Sequence, residues 1–103
     1  MRVEELKSLL DAGEAVVVLD VREPFELAAS PFPFEVVAIP LGALPKRLAE
    51  LPKDVPVVCA CRSGGRSAQA AYFLRRMGWE KAVNLDGGIL EWSRRIDPSV
   101  RPY

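Results

Sequence analysis

Cys61 stands where a thiol can be made reactive. The sequence around it reads Val57-Val58-Cys59-Ala60-Cys61-Arg62-Ser63-Gly64-Gly65-Arg66-Ser67. An apolar run leads in, two glycines follow, and a helical pattern begins just beyond. Three effects at such a junction favour thiolate over thiol. A helix N-terminus carries a partial positive charge of roughly half a unit. Gly64 and Gly65 allow the backbone to turn several N–H groups inward as an anion nest. Arg62 and Arg66 add formal charge on either side. Cysteines in such surroundings have pKa values of roughly 3.5–7.5 instead of about 8.5. The bland alternative is a small apolar residue in a glycine turn, because free cysteine is more often buried and inert.

The rest of the composition limits what else Cys61 could do. The chain has 103 residues, two cysteines and no histidine. No Cys-His or Ser-His pair is therefore available, so any thiolate must be stabilised by its surroundings. Two thiols do not supply the four ligands of a structural zinc site, and a disulfide between positions two apart would be strained. No metal or other cofactor is expected. Cys59 points to the same side of an extended strand as Cys61. It is either a resolving thiol or, as is common for strand cysteines, a buried core residue. Strand, glycine turn and helix also make phosphate loops, but no Gly-Lys-Ser or Gly-Lys-Thr follows here.

Charge and hydropathy exclude further classes. Fourteen Lys and Arg balance fourteen Asp and Glu, which gives no overall field for nucleic acid or an anionic membrane. No apolar run approaches the roughly 18 residues of a membrane span. The N-terminal Met1-Arg2-Val3-Glu4-Glu5 turns acidic where a secretory signal would turn apolar, which predicts a cytoplasmic protein. Asn84 is the only asparagine, Gln69 the only glutamine, and threonine is absent. Few thermolabile amides and nine prolines predict high thermal stability.

The elements that must position Cys61 alternate between helix and strand. Val3, Leu6, Leu9 and Leu10 have helical spacing, with Gly13 at the end. Ala15–Leu19 reads as a strand buried on both faces. Pro24 opens a short helix reaching Ala29, and Ser30–Phe34 is a loop because its prolines neither donate nor continue a helix. Glu35–Ile39 reads as a second strand. Leu44, Leu48 and Leu51 fall at i, i+4 and i+7 of a helix with Pro45 in its first turn. Val55–Ala60 is a third strand, Ser67–Met77 a helix, and Lys81–Leu85 a fourth strand. Small Ala68, Ala70 and Ala71 would let the Ser67–Met77 helix lie close on the sheet. Asp86 can cap a final helix striped by Ile89, Trp92 and Ile96. Arg22 and Glu26 read as a local ion pair, Gly87 and Gly88 as a tight turn, and Trp79 and Trp92 as packing residues. Apolar strands separated by helices give a parallel sheet covered on both faces. Ligands of such folds bind beyond the strands' carboxyl ends, which points to the loop after Ala60.

Several blocks recur in a known order. They are Asp20-Val21-Arg22-Glu23-Pro24 with Glu26, Ala38-Ile39-Pro40-Leu41, the Cys61–Ala68 loop, and Leu85-Asp86-Gly87-Gly88-Ile89 with Trp92. Together they resemble the single-domain rhodaneses, with the Cys-Arg-Ser-Gly-x-Arg-Ser loop as the specific part. The resemblance implies one three-layer α/β/α domain over residues 1–103 with a five-stranded parallel sheet, the first strand being a scrap around Arg2-Val3. It implies sulfurtransferase chemistry with Cys61 as the catalytic residue. Arg62, Ser63, Gly64, Gly65 and Arg66 align with the substrate-binding loop. A sulfane sulfur would pass from an anionic donor such as thiosulfate to Cys61, and from the persulfide to cyanide or a thiol. The chain is expected to act as a monomer. It departs from the family pattern at Ser30–Val36, where Phe32 and Phe34 could narrow the pocket rim or dock a partner.

Three other functions are open to such a chain. A phosphatase or oxyanion reductase on the related fold needs Cys-x5-Arg, but Arg66 is the fifth residue after Cys61 and Ser67 occupies the sixth place. A non-catalytic interaction module usually lacks the cysteine or the basic loop, and both are present. A persulfide carrier serving one partner protein needs the same cradle as an enzyme acting on thiosulfate.

Overall fold

The continuous apolar runs become short parallel strands. The computed structural model describes residues 1–102. Its helices are α1 (Val3–Asp11), α2 (Pro24–Ala29), α3 (Gly65–Arg76) and α4 (Gly88–Arg95). Its strands are β1 (Val17–Asp20), β2 (Val37–Ala38), β3 (Val57–Ala60) and β4 (Ala82–Asn84). They form one sheet in the order β2-β1-β3-β4, all parallel. After β1 the chain moves outward to β2, then returns across β1 to β3. The strand order therefore reverses between β1 and β3, and the crevice at their carboxyl ends is where open α/β sheets bind ligands.

Both faces of the sheet are covered. On one, Leu19, Val57, Cys59 and Cys61 pack with Ala70, Ala71 and Leu74 of α3 and with Leu44 and Leu51. Ala68, also small, faces solvent. On the other, Val18, Val58 and Ala60 pack with Val3 and Leu6 of α1 and Ile89 and Trp92 of α4. Alternate residues of β1 and β3 feed alternate layers, as the strand period of two requires. Trp79 and Trp92 are both buried in these layers, the packing role their types suggest. Phe32 and Phe34 are used here too. Phe34 lies 5.1 Å from the Trp92 ring and Phe32 stacks on Phe34 at 5.1 Å, so both rings belong to the α1–α4 layer and not to a rim over Cys61.

Four expectations are corrected. The sheet has four strands, not five, because Arg2 is already the N-cap of α1 and Val3 its first residue. Met1 alone lies along β4: its amine donates to the Asn84 carbonyl at 2.7 Å and its carbonyl accepts from Asp86 N at 2.9 Å. The helix starts before a strand can lengthen. The Leu44–Leu51 stretch is two 3-10 segments, Leu41–Lys46 and Leu48–Glu50, because Pro45 lies inside the first and has no N–H to donate. The cap of α4 is Gly87 at φ +80°, and not Asp86. β2 is only two residues long; it is an edge strand, and Pro40 stops it soon after.

Candidate active site

The site is built where β3 turns into α3. Gly64 takes φ +105° as the N-cap of α3, a conformation costly for any residue with a Cβ. That turn brings its N–H back to Cys61 Sγ at 3.1 Å. The first turn of α3 adds Ser67, whose N–H lies 3.4 Å and whose Oγ lies 3.2 Å from the same sulfur. Cys61 is only 1% exposed. Burial alone raises its thiol pKa, but the hydrogen bonds of the Ser67 hydroxyl and of the Ser67, Gly64 and Ser63 amides outweigh it. The net direction is below the ordinary cysteine value. Cys59, two residues earlier and fully buried, shows the contrast: without such donors burial pushes its thiol up to about 12, against a small pull from Arg75. The two cysteines share a layer but not an environment.

A second turn holds the loop from behind. Ile89 N and Leu90 N at the start of α4 donate to the Cys61 and Arg62 carbonyls at 3.0 and 3.1 Å. A Cβ on Gly88 would meet those carbonyl oxygens at 2.4 and 2.6 Å. The Gly87–Gly88 pair is thus the tight turn expected of it, and its lack of side chains lets α4 dock against the thiol loop.

The charged residues pair differently from their spacing. Arg22 and Glu26 do not form an ion pair with each other. Arg22 is fully buried and forks onto Asp20, with Nε–Oδ1 at 3.0 Å and Nη2–Oδ2 at 2.8 Å, while Nη2 also reaches the Ser30 carbonyl at 2.8 Å. Glu26 instead takes both terminal nitrogens of Arg66 at 2.6 and 2.8 Å. That pairing, against the cost of burial, holds the Glu26 carboxyl down at about 2, and the same bond raises Arg66. Arg66 is 36% exposed along its side chain, so it reaches the surface but is already engaged. Arg62 and Ser63 lie exposed on the outer loop and Gly65 opens α3. Arg62 is therefore the loop cation whose side chain carries no hydrogen bond or ion pair among the described residues.

Two residues of the hydrogen-bond chain that ends on the sulfur were not assigned to the site by sequence reading. Ser67 is one, six residues from Cys61 and fully buried. Asn84 is the other, with Oδ1 2.6 Å from Ser67 Oγ. The sign that Ser67 mattered is the loop's length, since a turn that curls back over six residues brings Ser67 near Cys61. Asn84 comes from β4, and no local spacing announces it.

A parallel sheet clad on both faces, with a cysteine in a nest of amides at its switch point, defines an α/β domain with a thiol-centred site. Residues 2–95 match the rhodanese-like domain, and the chain belongs to that family. It is 40% identical over 99 residues to a sulfurtransferase of Allochromatium vinosum, covering 96% of this chain and 92% of the relative. It is 37% identical over 93 residues to the putative sulfurtransferase YtwF of Bacillus subtilis, covering 90% and 88%. The solved human single-domain sulfurtransferase TSTD1 superposes with a TM-score of 0.79 at 28% identity, over 92% of this chain and 95% of that one. Sulfur transfer in general is the activity these relatives support. Among the described residues no helix is long and apolar enough to cross a membrane.

Proposed function

We propose that the protein is a sulfurtransferase that takes a sulfane sulfur from an anionic donor such as thiosulfate and carries it as a Cys61 persulfide to cyanide or a thiol. One observation carries the reading: the Cys61 sulfur accepts from Gly64 N–H and Ser67 N–H, amides that favour its anion, with the Ser67 hydroxyl beside it. The Cys61 thiolate attacks the outer sulfur of thiosulfate, the S–S bond of the donor breaks, and sulfite leaves with the electron pair. The product is a persulfide anion. Cyanide then attacks the outer sulfur, thiocyanate departs, and the Cys61 thiolate returns. Charge and atoms balance in both steps, and no general base is required once the thiol is ionised.

Two anions must meet in the first step, so fixed positive dipoles and a free cation lower the repulsion. Arg62 and Ser63, exposed on the loop, would receive the sulfonate end, while only the outer sulfur needs to reach the buried Cys61. Arg66 contributes through its hold on Glu26 and its attraction for the sulfur. Its two terminal nitrogens face a carboxylate, which disfavours a phosphate clamp and with it the phosphatase alternative. The reading makes the chain a monomeric cytoplasmic enzyme without metal or cofactor. Mixing the protein with thiosulfate and cyanide should produce thiocyanate and sulfite in equal amounts. Absence of thiocyanate from folded protein would overturn this choice of donor and acceptor.

A further inference from the structure

Asn84 ends β4 with its side chain on Ser67, which in turn touches the Cys61 sulfur. Building on the reading of Cys61 as an ionised nucleophile, we propose that Asn84 is a positioning residue acting through Ser67: its amide turns over when Cys61 ionises, so that the Ser67 hydroxyl is released to donate to the sulfur.

The hydrogen count demands a change at Asn84. A serine hydroxyl has one hydrogen and two lone pairs. Ser67 Oγ lies 2.6 Å from Asn84 Oδ1 and 3.2 Å from Cys61 Sγ. Asn84 Oδ1 only accepts, so the single hydroxyl hydrogen of Ser67 points to Asn84. The sulfur must then be the donor, which makes this arrangement that of the thiol. Ionisation sends the Sγ proton to solvent, and the thiolate now needs the hydroxyl hydrogen. If Ser67 turned alone, two oxygens would face each other at 2.6 Å with no hydrogen between them. A half-turn of the amide places Nδ2–H against Ser67 Oγ instead, and the chain runs Asn84 to Ser67 to Cys61. Only hydrogen bonds are exchanged. The two ends of an amide have nearly the same shape, so both orientations fit one cavity.

The setting suits such a device. Ser67 is fully buried, so water does not readily replace Asn84. Asn84 Nδ2 lies 3.6 Å from where a Cβ on Gly64 would stand, so the amide lies beside the loop that cradles the sulfur. A hydrogen bond to an ionised acceptor is about twice as strong as a neutral one. The charged groups around the cluster are Arg62 and Arg66 from the loop and α3, Asp20 at the end of β1 and Arg22 just beyond it, Glu26 from α2, Asp86 before α4 and Glu91 within it, Arg75 near Cys59, and the Met1 amine. The Met1 amine needs a control, because it donates to the Asn84 carbonyl at 2.7 Å.

The unaltered protein supplies the test. Asn84 is the only asparagine and Gln69 the only glutamine, so a nitrogen-15 spectrum contains two side-chain amide pairs. Across a pH titration the Asn84 pair should shift with the same midpoint as Cys61 alkylation by iodoacetamide, while the Gln69 pair stays flat. Cys61→Ser should remove the Asn84 transition. An Asn84 pair that stays flat through the alkylation midpoint, or that still titrates in Cys61→Ser, overturns the proposal. As a second arm, Asn84→Ala should slow alkylation near neutral pH by roughly two- to tenfold, and should have no further effect in a Ser67→Ala background. An equal effect in both backgrounds also overturns it. These readouts use no sulfur donor. A protein whose Asn84 pair follows Cys61 but which takes up no sulfur would keep the relay and sink the sulfurtransferase reading.

Discussion

Arg66 lies with both terminal nitrogens on the carboxylate of Glu26, at 2.6 and 2.8 Å. This fork ties the first turn of α3 to α2, and so fixes the thiol loop to the segment that follows β1. The partner could not be read from spacing, because the two residues are 40 positions apart.

The fork gives the fold an acid limit. Arg66 lowers the Glu26 carboxyl from 4.5 to about 2, against the opposing effect of burial and with help from the Glu23 amide. A group lowered on folding adds stability that is complete above its unfolded value and is lost as pH falls. Urea midpoints should therefore decline from about pH 4.5 toward 2. Glu26→Gln should flatten that decline. An unchanged slope would mean that other carboxylates carry it.

Removal of Arg66 should not be a clean test of catalysis. Arg66→Ala leaves the Glu26 carboxylate buried without its partner, at a cost of about 1–3 kcal/mol. Arg62→Ala should leave the denaturation midpoint unchanged, because no internal partner is lost, and should raise the thiosulfate KM several-fold. A stable Arg66→Ala with normal KM, or an unfolded Arg62→Ala, would reverse these roles.

Glycine positions separate docking from conformation. Gly88→Ala drives a Cβ into the Cys61 and Arg62 carbonyls at a φ of +57°. It should destabilise the fold by more than 2 kcal/mol (order of magnitude) and abolish sulfur loading. Gly65→Ala meets nothing within 4 Å and lies in helical backbone, so it should be neutral or stabilising by about 0.5–1 kcal/mol. Thermal melts of the two variants decide the matter, and similar losses in both would contradict it.

The thiol loop was legible in the sequence because its determinants are local. A buried strand, a glycine that must take positive φ and a helix start all lie within ten residues of Cys61. The layers were legible for the same reason, since Val18 and Leu19, or Val58 and Cys59, alternate between faces by strand period alone. What escaped depends on contacts across the chain. Glu26 took Arg66 from 40 positions away, Ser67 of α3 met Asn84 of β4, and Phe32 and Phe34 found Trp92. Local pattern also misled where two rules competed: the Leu44–Leu51 spacing favoured an α-helix, but Pro45 removed a donor and left 3-10 turns. Met1 shows the reverse case, a strand-like pairing cut short by the capping of α1.

Composition makes a separate prediction. One asparagine, one glutamine, no threonine and nine prolines in 103 residues should give a melting midpoint above the roughly 45–65 °C usual for mesophilic domains. Calorimetry giving a midpoint inside that range would contradict it.

The most direct measurement is the intact mass of the protein before and after exposure to thiosulfate. Wild type and Cys59→Ser should each gain one sulfur atom, released again by cyanide, while Cys61→Ser should gain none. Sulfur on Cys61→Ser, or none on folded wild type, would contradict the assignment of Cys61 as the persulfide-forming thiol.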